Sequence, residues 1–599
     1  MELGRELDVI LDLPPTELCP LQVAKQPKQP SESFGRRGWS DADNKESNVC
    51  FYDMFKLFEL SRLHAQKQAM EKHTSEIARN EYITVNGNIV GGVGIAGIGK
   101  TTMLKLIAKH VRTSAPYENP AIIFFIFIRD IDFRKRYSVL RFLTCSMLSA
   151  WRYRLESDQK LLQRLNNLEN VFIFIDSLDE ARGVHFKNAA PKMSLYDEET
   201  PDMIFMNIFS GHLLPKAKKF LVSRPQTYYE LNLASMPKFT VNVLGFSRES
   251  VNEICLKLCS NRDTAMKVHN TILSNPSLSS LSVIPMFCKL IIRHVITNNP
   301  SASHMFWTTD IFVHSLEEIV RSEKFQSDVS SIFRLSSLAL EGFIKNKLTF
   351  DKDDFVEAQV SQDSIDCFMK TDIQREGTID LKILDGDKIF FFSHLLWQEF
   401  LSAFNLLYNS SYAQFIELSQ YFTEYRWFSV VNFIFGLTKT SVERSLHRVF
   451  KCKENDDLQL KRNALKLFLK NFISTCTQKS PGSFPSITDV VNLSCLSKEL
   501  GYDESPSAEE MMMICSWLYE SNDKDFAKIA ADAFPEEICL NGSILPSDVM
   551  AINYLLSHTS NSLSLCFGTF FLSDSVVFIG DGLLQFVKNF QQTNHQVFF

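Results

Sequence analysis

Residues 94–102 read Gly94-Ile95-Ala96-Gly97-Ile98-Gly99-Lys100-Thr101-Thr102, a gapless match to the pattern GxxxxGK[ST]. The pattern demands a strand before it and a helix after it, and both are legible. Asn88 to Val93 is a short apolar run, and Thr102 to Val111 has helical spacing. Glycines let the backbone curl so that its N–H groups point at phosphate oxygens, beside the positive end of the helix. In such a loop Lys100 reaches the β and γ phosphates and the Thr101 hydroxyl ligates Mg2+. Gly91 and Gly92 are the discordant feature, because glycine weakens a strand.

Outward from this loop, apolar runs recur at Ile122 to Ile128, Val171 to Ile175 and Phe220 to Val222, separated by helical patterns. Runs apolar on both faces and spaced by helices predict a parallel sheet covered on each side. Two strand ends carry chemistry. The run from Val171 delivers Asp176 at a carboxyl edge, where open α/β sheets bind ligands. Asp176 is placed to hold Mg2+ through water, and Asp179 or Glu180 to polarise an attacking water. The run Phe220-Leu221-Val222-Ser223-Arg224-Pro225 ends on a guanidinium that could sense a γ phosphate. A structural arginine at a turn would give the same pattern. Arg129-Asp130, at the end of the second strand, is equally well explained as a solvated charge pair.

At 599 residues the chain should hold about three to five domains of ordinary size. Hydrophobic residues make up 45% and charged residues 22%, and a net charge of -7 gives no global attraction to nucleic acid or anionic lipid. The clusters Arg134-Lys135-Arg136 and Lys216 to Lys219 lack a nucleic-acid reading motif and are expected to be solvated faces. Fifty Phe against 22 Gly and 20 Pro favour a largely helical body around the sheet. The 13 Cys are scattered without CxxC pairs, and Cys255 and Cys259 fit core packing better than zinc, so free thiols in a reducing compartment are expected. The start MELGRELDVILDL lacks the basic and apolar regions of a secretory signal. No apolar run approaches the roughly 18 residues of a membrane span. These features predict a cytoplasmic protein without a transmembrane segment.

Residues 1–49 are rich in Pro, Gln, Ser and charge and are expected to be a disordered leader; 50–80 have helix-favouring composition and form a helical lead-in. From Ser247 to 556 the periodicity is almost entirely helical, with one strand-like interruption at Ile379 to Phe392 followed by a helix from His394 to Leu406.

GIAGIGKTT, IFIDSLDEA and GHLLPKAKKFLVSRP together resemble a NACHT domain, the nucleotide-binding module of NOD-like receptors within the STAND ATPases. VLGFSRESVNEI resembles the start of that family's helical domain 1 and SVIPMFCKL its proline-bearing helix. FFSHLLWQEFLSA resembles its winged helix, and ILPSDVMAINYLL the end of its helical domain 2. The resemblance runs over residues 81 to 599. It implies an α/β P-loop NTPase domain, with a parallel sheet and helices on both faces, at 81–240, helical domain 1 at 241–304 and a winged-helix domain at 305–407. Helical domain 2 would occupy 408–556 and a degenerate leucine-rich repeat 557–599. It further implies that Pro285 packs near bound ATP or ADP and that His394 contacts the ADP phosphate and clamps a closed state.

The function so implied is an ATP/ADP switch of innate immunity, slow at hydrolysis, that self-associates or joins related receptors when ATP replaces ADP. No direct contact with nucleic acid is expected. An AAA-like P-loop ATPase and a regulatory decoy without sensor or effector output are the competing readings. A GTPase is disfavoured because Asn44-Lys45 and Asn346-Lys347 lack the NKxD pattern.

Overall fold

The computed structural model describes residues 21–25, 48–49, 88–114, 120–146, 159–181, 191–224, 227–228, 239–243, 245–298, 306–322, 325, 328–372, 389–450, 456–478, 508–533, 537–542, 546–558, 564–570 and 596–598. They fall into two units, Met1–Lys257 with Val283–Met286, and Leu258–Ser282 with Phe287–Phe599.

The first unit contains, in chain order, β1 (Leu21–Lys25), β2 (Asn48–Val49), β3 (Ile89–Val93), α1 (Lys100–Ser114), β4 (Ile122–Phe127), β5 (Tyr137–Ser138), α2 (Val139–Leu143), α3 (Gln159–Asn167), β6 (Val171–Asp176), β7 (Glu198–Glu199), α4 (Pro201–Phe209), β8 (Lys218–Ser223), β9 (Phe239–Val243) and α5 (Arg248–Leu258). Seven strands join in the order β2-β1-β9-β3-β8-β6-β4. The five strands from β9 to β4 are parallel. Because β3 lies between β9 and β8, the chain leaving it through α1 must cross β8 and β6 to reach β4. Such a reversal of strand order opens a crevice at the carboxyl ends of the strands. The registers Val93↔Ser223 and Phe127↔Asp176 bring those ends level.

One face of the sheet, with Ile173, Ile175 and Leu221, shares a core with Phe142, Ile204, Phe205 and Ile208 of α2 and α4. The other face carries a run of rings, Phe125 on Phe174 at 6.0 Å and Phe174 on Phe220 at 6.4 Å. This accounts for part of the phenylalanine excess. The two glycines of β3 are also explained. A Cβ on Gly91 would lie 2.0 Å from the Tyr228 hydroxyl, and one on Gly92 2.9 Å from Val222 Cγ1. Strand propensity is given up for close approach of a ring and a neighbouring strand.

The disordered leader expected over 1–49 is corrected in two places. Leu21–Lys25 pairs antiparallel with β9 over five residues, and Asn48–Val49 pairs with β1. The short stretch LQVAK obtains its hydrogen bonds from an open sheet edge, so it does not need a core of its own. The helical lead-in at 50–80 lies outside the described residues.

The second unit begins with α6 (Arg262–Ser274), α7 (Pro276–Ser282) and α8 (Pro285–Asn298), whose first two residues belong to the first unit. Next come α9 (Thr308–Arg321), α10 (Ser330–Ile344), α11 (Lys352–Glu357), α12 (Gln362–Phe368), β10 (Met369–Asp372), β11 (Ile389–Phe392) and α13 (Leu395–Tyr408). Helices α14 (Tyr412–Ser419), α15 (Phe428–Leu437), α16 (Thr440–Phe450), α17 (Asp456–Gln478), α18 (Ala508–Ser521) and α19 (Lys524–Ala533) follow. The chain ends with β12 (Glu537–Gly542), α20 (Pro546–Leu556), β13 (Ser564–Phe570) and β14 (Gln596–Phe598). The core is aromatic: Phe312 meets Trp397 at 4.8 Å and Phe433 at 5.0 Å.

Two stretches expected to be helical are strands. Met369–Asp372 pairs antiparallel with Ile389–Phe392, forming the β-ribbon that precedes α13, while 379–388 lie outside the described residues. Glu537–Gly542 pairs in parallel with Ser564–Phe570, which in turn pairs with Gln596–Phe598. Both stretches are too short to show a period, and tertiary pairing decides their state. Among the described residues, no helix is long and apolar enough to cross a membrane.

Candidate nucleotide site

The loop after β3 has the conformation its glycines permit. Gly97 and Gly99 hold φ of 78° and 102°, in the left-handed region. A Cβ on Gly94 would meet Ile98 Cγ2 at 2.7 Å and the Val243 carbonyl oxygen at 3.2 Å. Residues 283–286 fold back onto this loop. The Met286 N–H donates to the Gly97 carbonyl at 3.4 Å, and Phe246 N–H to the Val283 carbonyl at 2.7 Å. Gly245, at φ 92°, makes room, since a Cβ there would lie 2.2 Å from the Val283 oxygen. Pro285 therefore stands between two residues that touch Gly97, at the first position of α8, where a missing N–H costs nothing.

Lys100 is buried, and its ammonium donates to the carbonyls of Gly94 at 2.7 Å and Ile95 at 2.8 Å. Burial pushes its pKa down to about 8, against the nearby charge of Asp179. The Thr101 hydroxyl donates to Asp176 Oδ1 at 3.1 Å, joining the start of α1 to the end of β6. Burial raises the Asp176 pKa. The Thr101 hydrogen bond and the charges of Arg129, Lys105 and Lys100 oppose that rise.

Ser177, with φ 61° and ψ 56°, turns the chain sharply after β6 and starts the short 3-10 turn Leu178–Glu180. Asp179 is thereby aimed at the end of β8. Its Oδ1 accepts the Arg224 backbone N–H at 3.1 Å, and its Oδ2 lies 2.9 Å from Arg224 Nε. Burial acts to raise the Asp179 pKa, but Arg224 and Lys100 hold it below the ordinary carboxylate value. The geometry engages Asp179 with Arg224, whereas Glu180 ends the same turn.

Two further cations stand near, Lys105, which was not singled out from the sequence, and Arg129, which was read there as part of a charge pair. Arg129 lies 4.6 Å from the Phe127 ring centroid and 4.0 Å from Asp130, and Lys105 lies 5.4 Å from the same ring. Both bear on Asp176, so Arg129 is more than half of a solvated pair. Their link to Asp176 is the register Phe127↔Asp176, which no spacing along the chain reveals.

The donor set fits a nucleotide with its metal. Backbone N–H groups, one ammonium, one guanidinium, one hydroxyl and the carboxylates of Asp176 and Asp179 meet at the sheet's carboxyl edge. Among the described residues, no group of three or more His, Cys, Asp or Glu could hold a metal alone. Mg2+ commonly takes one or two protein oxygens and completes its shell with phosphates and water, which suits Thr101 and Asp176.

His394 belongs to the second unit. It caps α13, its Nδ1 accepting the Leu396 N–H at 3.1 Å from an extended backbone. The basic clusters are partly ion-paired, Arg134 with Asp132 at 3.0 Å and Arg136 with Glu199 at 2.8 Å. Lys219 corrects the expectation of a solvated face over Lys216 to Lys219. It is fully buried in β8.

Residues 89–262 match the model of the NACHT domain, and residues 330–390 that of the NOD2 winged helix domain. Similar curated proteins include NACHT, LRR and PYD domains-containing protein 3 of Mus musculus, 22% identical over 475 residues that cover 74% of this chain and 42% of that protein. The Homo sapiens protein of the same name is 21% identical over 507 residues, 79% of this chain and 44% of its own length. NACHT, LRR and PYD domains-containing protein 1b allele 3 of Mus musculus is 22% identical over 386 residues, 61% of this chain and 31% of that protein. The chain thus spans less than half the length of these relatives.

Proposed function

The chain carries a NACHT domain and a NOD2-type winged helix domain, and on that premise we propose that it is a NOD-like receptor, an ATP- and ADP-binding switch of intracellular innate immunity. The observation that carries the reading is the meeting of Lys100, Thr101, Asp176 and Arg224 at one crevice. Gly94 to Thr102 would wrap the phosphates, and Lys100 would exchange its two loop carbonyls for phosphate oxygens. Thr101 and Asp176 would hold Mg2+, which when bound supplies positive charge against the phosphates. Arg224 would face the γ phosphate and Pro285 would pack near the nucleotide.

With ADP the protein would be closed, His394 contacting the ADP phosphate; with ATP it would self-associate or join related receptors in the cytoplasm. Hydrolysis would be slow, which is supported by the engagement of Asp179 with Arg224. Such a site works by shifting populations between states. The parallel β12–α20–β13 arrangement supports placing a repeat-like segment at the end of the described chain.

Lys100→Ala tests the reading. Nucleotide released from denatured wild-type protein is expected to be ADP, and the variant should carry none. Full retention of nucleotide by the variant, measured by chromatography of the released material, would defeat the proposed site.

A further inference from the structure

Asp179 commits both carboxylate oxygens to one residue, the backbone N–H and the guanidinium Nε of Arg224. One carboxylate thus fixes the main chain and the head group of that arginine together. The side chains are only 11% and 17% exposed, so the pair is shielded from solvent ions. The turn that aims it is held in place, for Ser177 is left-handed and Leu178 is fully buried. Asp179 also supports the charge of Lys100. A fixed anion therefore sits among the cations that phosphate recognition requires.

We infer that Asp179 is a positioning residue that sets the preference between nucleoside diphosphate and triphosphate, by holding Arg224 until a third phosphate competes for its guanidinium. The inference rests on the nucleotide site proposed above. Asp179 offsets the charge of the Arg224 guanidinium through Nε, and a γ-phosphoryl group must draw on that same charge, whereas a diphosphate has no phosphoryl group at that position. Binding of the triphosphate then sets the γ-phosphoryl charge beside the Asp179 carboxylate and on a guanidinium already partly neutralised, a cost the diphosphate does not meet. The site is biased toward ADP by its own carboxylate.

The test is calorimetric titration of the nucleotide-free full chain with ADP and with a non-hydrolysable ATP analogue. Asp179→Asn should raise affinity for the analogue relative to ADP by about tenfold or more, the scale of one charge-assisted pairing. Asp179→Glu, which keeps the anion, should stay within about twofold of wild type. Arg224→Gln should lower the ratio, and in that background Asp179→Asn should change it no further. An equal shift for both nucleotides, a fall in the ratio, a shift as large in Asp179→Glu, or an effect that persists without Arg224 would each overturn the inference. If Asp179→Asn fails to fold by circular dichroism, an unchanged ratio in Arg224→Gln overturns it alone. Wild-type protein that binds neither nucleotide defeats the proposed function instead, so the two failures are distinct.

Discussion

Lys219 is a complete amine enclosed in a parallel sheet. Its side chain is fully buried, its Nζ has no hydrogen-bond partner among the described residues, and burial pushes its pKa down to about 7 from 10.5. Its strand neighbours in register are Ile89 and Ile173, which offer no charge. An unpaired buried polar group costs about 1–3 kcal/mol, so Lys219→Met, nearly equal in volume, should stabilise the chain by that amount near neutral pH. The sign with pH follows from the lowered value. Between about pH 7 and pH 10.5 the unfolded chain binds the proton and the folded one does not, so this group makes wild-type stability rise with pH. The advantage of Lys219→Met over wild type should therefore shrink from pH 7 toward pH 10, measured by urea unfolding. A constant difference across that window would show that the amine is not the cause.

At the scale of the element, β3 shows how a strand can be built against its own propensity. Gly91 meets the Tyr228 ring where any Cβ would stand 2.0 Å from the hydroxyl and 2.6 Å from Cε2 and Cζ. Gly91→Ala should lower stability by roughly 1–3 kcal/mol through overpacking, despite the better strand propensity of alanine. Adding Tyr228→Leu should recover most of that loss in thermal unfolding, because the offending atoms are gone. Additive losses would mean that the ring is not the obstacle. The phosphate loop itself was legible from its residues, since pattern, preceding strand and following helix are all local. The partners of its glycines were not. Val243, Ile284 and Met286 are brought to the loop by β9 and by a segment some 190 residues downstream.

At the scale of the whole molecule, the cap that His394 makes and the ADP clamp proposed for it can be separated by one substitution. It caps α13 through Nδ1, and asparagine is as good a cap. His394→Asn should therefore keep the melting temperature while accelerating ADP release and increasing oligomers, read by native mass spectrometry. Unchanged ADP release with a monomeric protein would remove the clamp role and leave only the cap. A second long-range device lies within the second unit. Glu520 of α18 accepts the N–H groups of Thr308 and Thr309 at 2.8 and 3.1 Å and the Thr309 hydroxyl at 2.8 Å, capping α9 from more than 200 residues away. Trp307, the residue at the cap position of α9, has no side-chain acceptor to offer.

What the sequence determined by itself was local chemistry: a phosphate loop, buried strands ending in Asp176 and Arg224, and the helical character of most of the remainder. Those features depend on neighbours within a few residues, and their side-chain periods and glycine pattern are written along the chain. Tertiary structure alone decided the pairing of Asp179 with Arg224, the charges of Arg129 and Lys105 beside Asp176, the burial of Lys219 and the capture of Leu21–Lys25 by the sheet edge. Each is set by strand order and register, which join residues far apart in sequence and leave no mark on their spacing.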